Sequence, residues 1–342
     1  MKLWMKLTLS IFLIIILVFG ATFSYTFYKL SKVKTTVISK TDEDLGIKTQ
    51  VSLKTPENLT NKPEVPVKKE ESKEIINIAF FGVDRRSPNE ASRSDSIMIV
   101  SIDEVHKKIK MSSIMRDTYV EINKHGNTKI NHAYAYGGAQ LAIRTLNENF
   151  NLDIRDYVTV DFFNLQKIID AIGGVKIDIK QDEISLTNSN MDEVAAIEKI
   201  SISKITKPGL QTLNGIQAVA YSRIRYTAGG DFVRTQRQRT VLKAMLTNIQ
   251  SLGAREFSSV VSQLLPYTET SMNSIDILKL GTKVFTGGTM TLAEERFPVD
   301  GYCRGKIIDN VWYLIADMKE TSQQLHKYIY EDINPVSKAP LF

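Results

Sequence analysis

The chain has 342 residues, of which 43% are hydrophobic and 24% are charged, so it can form one sizeable globular domain or two small ones. Its formal net charge of +6 does not indicate a nucleic-acid-binding protein, because the lysines are scattered and many precede the part expected to fold. The single cysteine, Cys303, excludes an intrachain disulfide and a cysteine-based zinc cluster.

An uncharged segment near the N-terminus predicts a membrane anchor. Residues 7–28 carry no charge and are dominated by Ile, Leu, Val and Phe, and about 20 such residues cross a bilayer as a helix. Lysines lie on both sides of the segment, so the positive charges do not fix its orientation. A cleavable signal peptide is the alternative, although its apolar core would be long. We expect an uncleaved signal anchor, a cytoplasmic stub over residues 1–6, and the bulk of the chain outside the cell.

A polar linker is predicted over residues 29–73, where three prolines accompany a lack of apolar periodicity. A folded domain is predicted over residues 74–252, and residues 253–342 should form an extension packed on it or following it. The domain opens with an apolar run of strand length from Ile75, and two more strands are predicted at 96–102 and 109–115.

These three strands should bring charged side chains together at one end of their sheet. Short connections favour antiparallel pairing, so the carboxyl ends of the first and third strands lie beside the start of the second. A solvated rim of surface ion pairs is the alternative, and for any single pair it is the commoner case. The set as a whole predicts a functional site. Its members are Asp84, Arg93, Asp95, Arg116 and Asp117.

The middle of the chain predicts helices between further strands. One helix is expected at 140–150, and a second is expected to end at Gly173-Gly174. Residues 181–203 are polar and irregular, which predicts an insertion or a mobile lid. Apolar side chains at helical spacing are either core residues or the lining of an apolar ligand channel: Phe162, Leu165, Ile168, Ile169 and Ile172.

The stretch from Tyr221 to Arg239 contains five arginines, no lysine and one acidic residue, Asp231. The planar guanidinium binds two oxygens of a phosphate or carboxylate at once, so this composition predicts a site for a fixed polyanionic group. Asn214 should be the N-cap of a helix that ends near the first arginines, and a second helix should run to about Gln250. On that second helix one stripe holds Arg234, Arg237 and Gln238, whereas Arg239 projects elsewhere and is predicted to be an ordinary surface residue.

Six motifs follow one another in a fixed order between about Ile75 and Leu246. They are GVDRR (82–86), RSDSIMIVSID (93–103), SIMRDTYVEI (113–122), KINHAYAYGG (129–138), DFFNLQKIIDAIGGV (161–175) and LNGIQAVAYSRIR…DFVRTQRQR (213–239). The series closely resembles the LytR-CpsA-Psr family of cell-wall glycopolymer ligases. Each motif alone is a weak signal, but six in order are specific.

The resemblance implies an α/β fold: an α/β/α domain with a central mixed sheet, preceded by one N-terminal transmembrane helix. It also implies a phosphotransferase that moves a teichoic acid, a capsule or a similar polymer from an undecaprenyl-pyrophosphate carrier to peptidoglycan. The product is a phosphodiester to a muramic acid hydroxyl, and the reaction depends on Mg²⁺ or Mn²⁺. Its partners are therefore the carrier-linked glycan, peptidoglycan and the membrane, and not nucleic acid.

Site residues carry over from the family motifs. The metal-site aspartates correspond to Asp84 and Asp95, and Asp231 has a supporting role. One departure is Met115, where the family usually has proline, although Arg116 and Asp117 are kept. The catalytic set corresponds to Arg116, Asp117, Arg223 and Arg225. The pyrophosphate-binding set corresponds to Arg86, Arg93, Arg116, Arg223, Arg225, Arg234, Arg237 and Gln238.

The chemistry of phosphoryl transfer is consistent with this assignment. Such a reaction needs charge neutralisation on both phosphates and an acceptor hydroxyl placed in line, which arginines and a hard cation provide. The chain has no Walker loop and no nucleophile elbow, which argues against nucleotide hydrolysis and acyl transfer. For a general base, Asp95 or Asp117 is a better candidate than His125 or His132. Two alternatives stay open: a pyrophosphatase for the lipid carrier, and a membrane-bound regulator or polymer-binding protein of envelope assembly.

Overall fold

The structure is a computed structural model that describes residues 34–48, 75–85, 92–225, 230–286 and 290–339. Within these ranges the strands are β1 (Lys34–Thr35), β2 (Ile75–Val83), β3 (Ser94–Asp103), β4 (Lys108–Ile114), β5 (Tyr119–Ile122), β6 (Gly126–Lys129), β7 (Asp156–Asp161), β8 (Val175–Ile179), β9 (Gly209–Leu213), β10 (Glu269–Thr270), β11 (Thr291–Phe297), β12 (Cys303–Ile308) and β13 (Val311–Ala316). The helices are α1 (His132–Phe150), α2 (Phe162–Ala171), α3 (Glu183–Glu198), α4 (Gly215–Ser222), α5 (Gly230–Leu264), α6 (Ser274–Thr286) and α7 (Met318–Tyr330).

A mixed sheet lies at the centre of the described domain, with the strand order β1-β10-β7-β2-β3-β4-β11. Strands β2, β3 and β4 pair antiparallel in succession, which confirms the arrangement predicted from their short connections. The β2–β7 and β4–β11 pairs are parallel. Three two-stranded antiparallel sheets accompany this sheet among the described residues: β5–β6, β8–β9 and β12–β13.

Alternating side chains of the central strands supply two cores, one on each face of the sheet. Phe81 of β2 belongs to the core that also contains Ile143 of α1 and Leu325 of α7. Its neighbour Phe80 packs against the other core, which is built from α2, α4 and α5. The predicted α/β/α layering with a central mixed sheet is therefore confirmed.

Helix ends follow local signals in the sequence. Asn214 caps α4 through a hydrogen bond from the Gln217 backbone N–H, and the Gln217 side chain accepts from the Asn214 N–H in return. This cap is the one that the sequence predicts. Helix α1 begins at His132, earlier than predicted, and contains a kink at Gly137-Gly138.

The C-terminal region is part of the central fold rather than an addition to it. Strand β11 extends the sheet beside β4, and Phe297 and Tyr328 lie in the same core as α1. Lys110 of β4 is fully buried, and its Nζ lies 2.6 Å from Asp103 Oδ2 and 2.9 Å from the Ile329 carbonyl oxygen. This contact fixes the end of α7 to the sheet.

Residues 34–48, which the sequence analysis assigns to the linker, also contact the domain. Strand β1 pairs with β10, and Leu45 has no exposed surface and packs in the α1 core. The side-chain amide of Asn147 donates to the Leu45 carbonyl oxygen at 2.9 Å. The packed part of the chain therefore includes a segment with few apolar residues, which periodicity alone does not reveal.

None of the helices that the structure describes combines the length and apolar character needed for a membrane span. The predicted anchor at 7–28 lies outside the described residues.

Candidate functional site

Three members of the predicted charged cluster, Asp95, Arg116 and Asp117, meet where β2 and β4 end and β3 begins. Arg116, just after β4, donates from Nη1 to Asp95 Oδ1 at 2.5 Å. Its Nε lies 3.6 Å from Asp117 Oδ2, and its Nη2 lies 3.3 Å from Asp231 Oδ1. Burial disfavours the charge on Arg116, but these carboxylates outweigh it and raise the pKa of the guanidinium.

Asp95 owes its position to an irregularity in the sheet. Gly82 pairs with Ser96 and Val83 with Ser94, so Asp95 is the extra residue of a β-bulge. A Cβ on Gly82 would lie 2.9 Å from the Ser96 Cβ, so only glycine allows the strands to approach this closely here. The bulge releases Asp95 from the alternation of β3 and directs it towards the arginines.

The arginine-rich stretch contributes to the same site from the opposite side. Arg225 Nη2 lies 3.6 Å from Asp95 Oδ2, and about half of the Arg225 side chain is exposed. Arg234 is buried, and its Nη2 lies 2.7 Å from Asp231 Oδ1. Burial, aided by nearby Arg116 and Arg225, lowers the pKa of Arg234 to about 10 despite the attraction of Asp231. The two halves predicted from the sequence therefore face each other.

Several buried polar atoms of this cluster lack hydrogen-bond partners among the described residues. They are Arg116 Nε, Arg234 Nε and Asp231 Oδ2. The two guanidinium nitrogens are donors whose burial without acceptors is costly, and an incoming phosphate would supply acceptors for them. Asp231 Oδ2 is an acceptor and needs a donor instead. The cluster is thus suited to a polyanion.

Arg223 and Arg237 have different surroundings from the arginines at the centre. The Arg223 guanidinium lies 5.6 Å from the ring centre of Phe162 and 3.9 Å from Glu193. Arg237 is buried, donates from Nε to Glu183 Oε1 at 2.9 Å and contacts the Ile224 carbonyl oxygen at 3.4 Å. Arg237 therefore holds the backbone between Arg223 and Arg225, and Glu183 is the partner that the sequence did not identify.

Glu183 opens α3, in the segment predicted to be an insertion or a mobile lid. Instead, α3 runs from Glu183 to Glu198 and packs Met191 and Val194 against α4. The apolar residues of α3 do not form a clear helical stripe, so periodicity did not reveal its two buried apolar positions or its buried carboxylate.

Arg239 corrects another prediction. It is buried rather than on the surface, with Nε 3.9 Å from Glu294 Oε2 of β11. Burial lowers its pKa, although Glu294 opposes this. Strand β11 covers this face of α5, and no pattern in the sequence indicates that contact.

Asp117 and Lys129 extend the cluster towards β5 and β6. Lys129 Nζ lies 2.6 Å from Asp117 Oδ1, and this lysine was not among the predicted site residues. His132 bonds to the Thr128 hydroxyl at 2.9 Å. Burial, together with Arg93 and Lys129, lowers the pKa of His132. His125 stacks on Tyr136.

Two carboxylates stand at neighbouring strand ends where a divalent cation is expected. Asp84 directly follows β2, and Asp95 is the second residue of β3. Carboxylate oxygens are the hard donors that Mg²⁺ takes, with phosphate and water completing the shell, so the donor chemistry fits. Among the described side chains, no group of three or more His, Cys, Asp or Glu could hold a metal on its own. Arg86 lies outside the described residues.

An apolar pocket opens beside this cluster on the face of the sheet covered by α5. Its walls include Phe80 and Met98 from the sheet and Val241 from α5, and Ser96 and Gln238 also line it. The apolar residues at helical spacing are expected to be either core residues or the lining of a ligand channel. Of these, Phe162 and Leu165 line the pocket. Ile168, Ile169 and Ile172 are core residues. A charged cluster joined to an apolar pocket suits an amphiphile with an anionic head.

The LytR_cpsA_psr family model matches residues 30–329 of the chain. The chain is 30% identical over 260 residues to the polyisoprenyl-teichoic acid–peptidoglycan teichoic acid transferase TagU of Oceanobacillus iheyensis, covering 74% of this chain and 75% of that one. It is 34% identical over 229 residues to the regulatory protein MsrR of Staphylococcus aureus, covering 66% and 64%. A solved structure described as TagT bound to LI-WTA has a TM-score of 0.60 and 26% identity, over 78% of this chain and 94% of that chain.

Proposed function

Because this chain belongs to the LytR-CpsA-Psr family, we propose that it is a phosphotransferase that attaches an anionic or capsular glycopolymer to peptidoglycan. The donor is the polymer on an undecaprenyl-pyrophosphate carrier, and the product is a phosphodiester. The transferase TagU, whose name specifies a polyisoprenyl-linked teichoic acid and peptidoglycan, supports this substrate class.

The observation that carries the proposal is the junction of the arginine cluster with the apolar pocket. Ser96 and Gln238 line the pocket, and the neighbouring Asp95 contacts Arg116 and Arg225. A pyrophosphate bound by the arginines would place the lipid that it carries at the mouth of this pocket. The free volume inside the pocket is only about 40 Å³, so α2 and α5 must separate to admit the lipid tail of the carrier.

The reaction follows from the charges at the site. The oxygen of an acceptor hydroxyl attacks the phosphorus that bears the glycan, and the bond from that phosphorus to the carrier phosphate breaks. Undecaprenyl phosphate leaves with the electron pair, while the hydroxyl proton passes to a carboxylate or to water. Arg116, Arg225 and Arg234 neutralise charge on the phosphates as it develops.

The aspartates explain how the arginines are held before the donor arrives. Asp95 accepts a hydrogen bond from Arg116 and forms an ion pair with Arg225 at 3.6 Å. When phosphate oxygens replace Asp95 as the partner of these arginines, its carboxylate is released for a cation or for the acceptor proton. Asp117, which contacts Lys129 and Arg116, is the second candidate for the base.

We assign Mg²⁺ to Asp84 and Asp95. The three arginines and Lys129 already face Asp95, Asp117 and Asp231, so a bound pyrophosphate would leave excess negative charge. A divalent cation bound by the two carboxylates and by phosphate oxygens would offset that charge.

We also propose that residues 7–28 anchor the chain in the cell membrane with the domain outside.

The decisive test uses the purified full chain with a glycan-pyrophosphate lipid, Mg²⁺ and a peptidoglycan acceptor. We expect undecaprenyl phosphate to appear together with a glycan phosphodiester, and both to be lost on chelation of the metal. Release of carrier phosphate without the acceptor-linked product would instead identify a pyrophosphatase. No turnover with several donor glycans would contradict the proposal.

A reporter fused after Phe342 tests the orientation of the chain. A cytoplasmic reporter would exclude the site from the compartment of peptidoglycan and would contradict the transferase.

The similarity to MsrR, which is named as a regulatory protein, favours a second candidate, a regulator of envelope assembly. A regulator without transferase activity predicts that Arg225→Ala leaves the wall polymer of the cell unchanged. A transferase predicts that the same variant reduces the amount of attached polymer.

A further inference from the structure

A surface of aromatic side chains adjoins the site beyond Asp117. Trp312 is 41% exposed, and the rings of Tyr119 and Tyr313 meet edge to face with centres 4.9 Å apart. Lys129 Nζ lies 6.0 Å from the ring centre of Trp312 and 5.9 Å from that of Tyr313. We call Tyr119, Lys129, Trp312 and Tyr313 the aromatic surface.

The aromatic surface is fixed to the site by backbone and side-chain contacts. The Leu314 N–H donates to the Asp117 carbonyl oxygen at 2.9 Å, and Thr118 forms a bridge with Leu314. Lys129, at the centre of the surface, also lies 2.6 Å from Asp117 Oδ1. The β12–β13 hairpin therefore cannot move independently of the cluster around Arg116.

A glycine holds the Trp312 indole in place on the hairpin. A Cβ on Gly305 would lie 2.7 Å from Trp312 Nε1 and 3.1 Å from Cε2, so the indole lies directly against this strand. The indole packs against Gly305 with one part of its ring, and the rest of the ring surface stays available to solvent.

We propose that the aromatic surface binds the acceptor, an anionic amino-sugar glycan strand, and holds its hydroxyl towards the phosphate site. This proposal rests on the transferase function. Tyr and Trp rings combine an apolar face with a polar edge, as pyranose rings do, and aromatic side chains anchor many recognition surfaces. Lys306 pairs in register with Tyr313, so it adds positive charge beside that ring, which suits the carboxylates of muramic acid.

The position of the surface suits the acceptor rather than the donor. The apolar pocket reaches Ser96 from the α5 face of the sheet. The aromatic surface reaches Asp117 from β5 and β6, which lead into α1 on the opposite face. An in-line displacement needs the attacking hydroxyl opposite the leaving carrier phosphate, so the acceptor should approach from the side away from the pocket.

A membrane-binding role for the hairpin is the competing explanation. Ile307 is 68% exposed, and tryptophan is common at membrane interfaces. However, the tip of the hairpin is Asp309-Asn310, where a carboxylate would have to enter the lipid headgroups first. The polar tip and the fixed link to Asp117 favour the glycan.

Fluorescence of Trp312 provides a direct binding test. The chain has two tryptophans, so Trp4→Phe leaves Trp312 as the only one in the full chain. In detergent micelles, soluble GlcNAc–MurNAc oligosaccharides should shift or quench its emission in a saturable titration. Gly305→Ala in this background should weaken the affinity about tenfold, the loss expected when one anchoring aromatic is displaced.

The control is Leu210→Ala, which removes an exposed apolar side chain from the separate two-stranded sheet β8–β9 and should leave the affinity unchanged. Teichoic acid polymer that binds more tightly than the oligosaccharides would overturn the assignment to the acceptor. In phosphatidylglycerol nanodiscs the Trp312 emission should match that in micelles. A blue shift in the discs that Ile307→Ser removes would overturn the proposal in favour of membrane contact.

Steady-state transfer separates this inference from the proposed function. Trp312→Leu should raise the KM for the acceptor about tenfold with the KM for the donor unchanged, and Trp312→Phe should restore most of the acceptor affinity. Normal transfer with an unchanged acceptor KM in Trp312→Leu would refute the aromatic surface alone. A chain that binds the oligosaccharides but transfers nothing would refute the transferase and not the binding of glycan.

Discussion

Two arginines from the same stretch of sequence have different roles at the level of single residues. Arg225 is half exposed and faces Asp95, whereas Arg237 is buried against Glu183. A half-exposed arginine contributes little to stability and is free to bind a ligand, while a buried ion pair supports the fold around it.

Arg225→Ala should therefore lower kcat/KM about a hundredfold, which corresponds to roughly 2.7 kcal/mol, because a charge-assisted contact to phosphate is lost. The urea midpoint should stay unchanged. Arg225→Lys should recover only part of the activity, since lysine lacks the planar fork. An Arg225→Ala enzyme with full activity would contradict the assignment.

Arg237→Ala should instead destabilise the protein by about 3–5 kcal/mol, because Glu183 is left buried without its partner. Urea unfolding measures this loss. Replacing both residues, as Arg237→Met with Glu183→Leu, should restore much of the stability. If the double variant were stable but inactive, Arg237 would be needed to position Arg223 and Arg225 for activity as well as to stabilise the fold.

At the level of elements, the bulge between β2 and β3 directs Asp95 to the arginines. Gly82→Ala should reduce turnover at least tenfold, because the new Cβ would push against Ser96 and displace the bulge. The compensating change Ser96→Gly should recover activity in the same chain. Kinetics at saturating Mg²⁺ measure both effects, and unchanged turnover in Gly82→Ala would show that Asp95 does not depend on the bulge.

The sequence predicted those elements whose signals are local. Short loops predicted the antiparallel β2, β3 and β4, and Asn214 predicted the start of α4. It could not predict contacts that depend on distant segments. Arg239 is buried because β11 returns beside β4, and α3 is held by the Glu183–Arg237 pair, so neither follows from periodicity.

The same distinction applies to the site. Antiparallel pairing predicts that Arg116 and Asp95 lie at the same end of the sheet, where they form a hydrogen bond. The bulge that directs Asp95 and the position of Lys129 come from three-dimensional packing, for which the chain carries no short motif.

For the whole molecule, the contact of β4 with α7 should be sensitive to acid. Burial disfavours ionisation of Asp103, but hydrogen bonds from His106 and Lys110 outweigh it and lower its pKa. Hydrogen bonds from Lys108 and Lys110 likewise outweigh burial and lower the pKa of Asp332. A lowered carboxyl pKa adds stability above the ordinary value of 3.8, and this stability is lost as the pH falls below it.

We expect Lys110→Met to cost about 3–5 kcal/mol at neutral pH and to reduce the dependence of stability on pH between 5 and 2.5. Urea unfolding across this pH range measures both quantities. The exposed pair Lys204–Asp192 provides a matched control, since Lys204→Met should change neither. An unaltered pH dependence in Lys110→Met would contradict this account of α7.

Residues 34–48 also contribute to the stability of the whole domain. Leu45→Ala should cost about 2–5 kcal/mol, as expected for a leucine with no exposed surface. Val37 in the same segment is 91% exposed, and Val37→Ala should have little effect. Equal urea midpoints for the two variants would indicate that this segment does not support the fold.

With the proposed anchor in the membrane, the pairing of β1 with β10 would limit how far the domain can reach from the bilayer. The proposed anchor ends at Tyr28 and β1 begins at Lys34, so only residues 29–33 separate the two. Five extended residues span at most about 18 Å, whereas a fully extended tether over residues 29–73 would span at most about 160 Å. The enzyme would therefore work close against the bilayer, and the wall strand must come down to it.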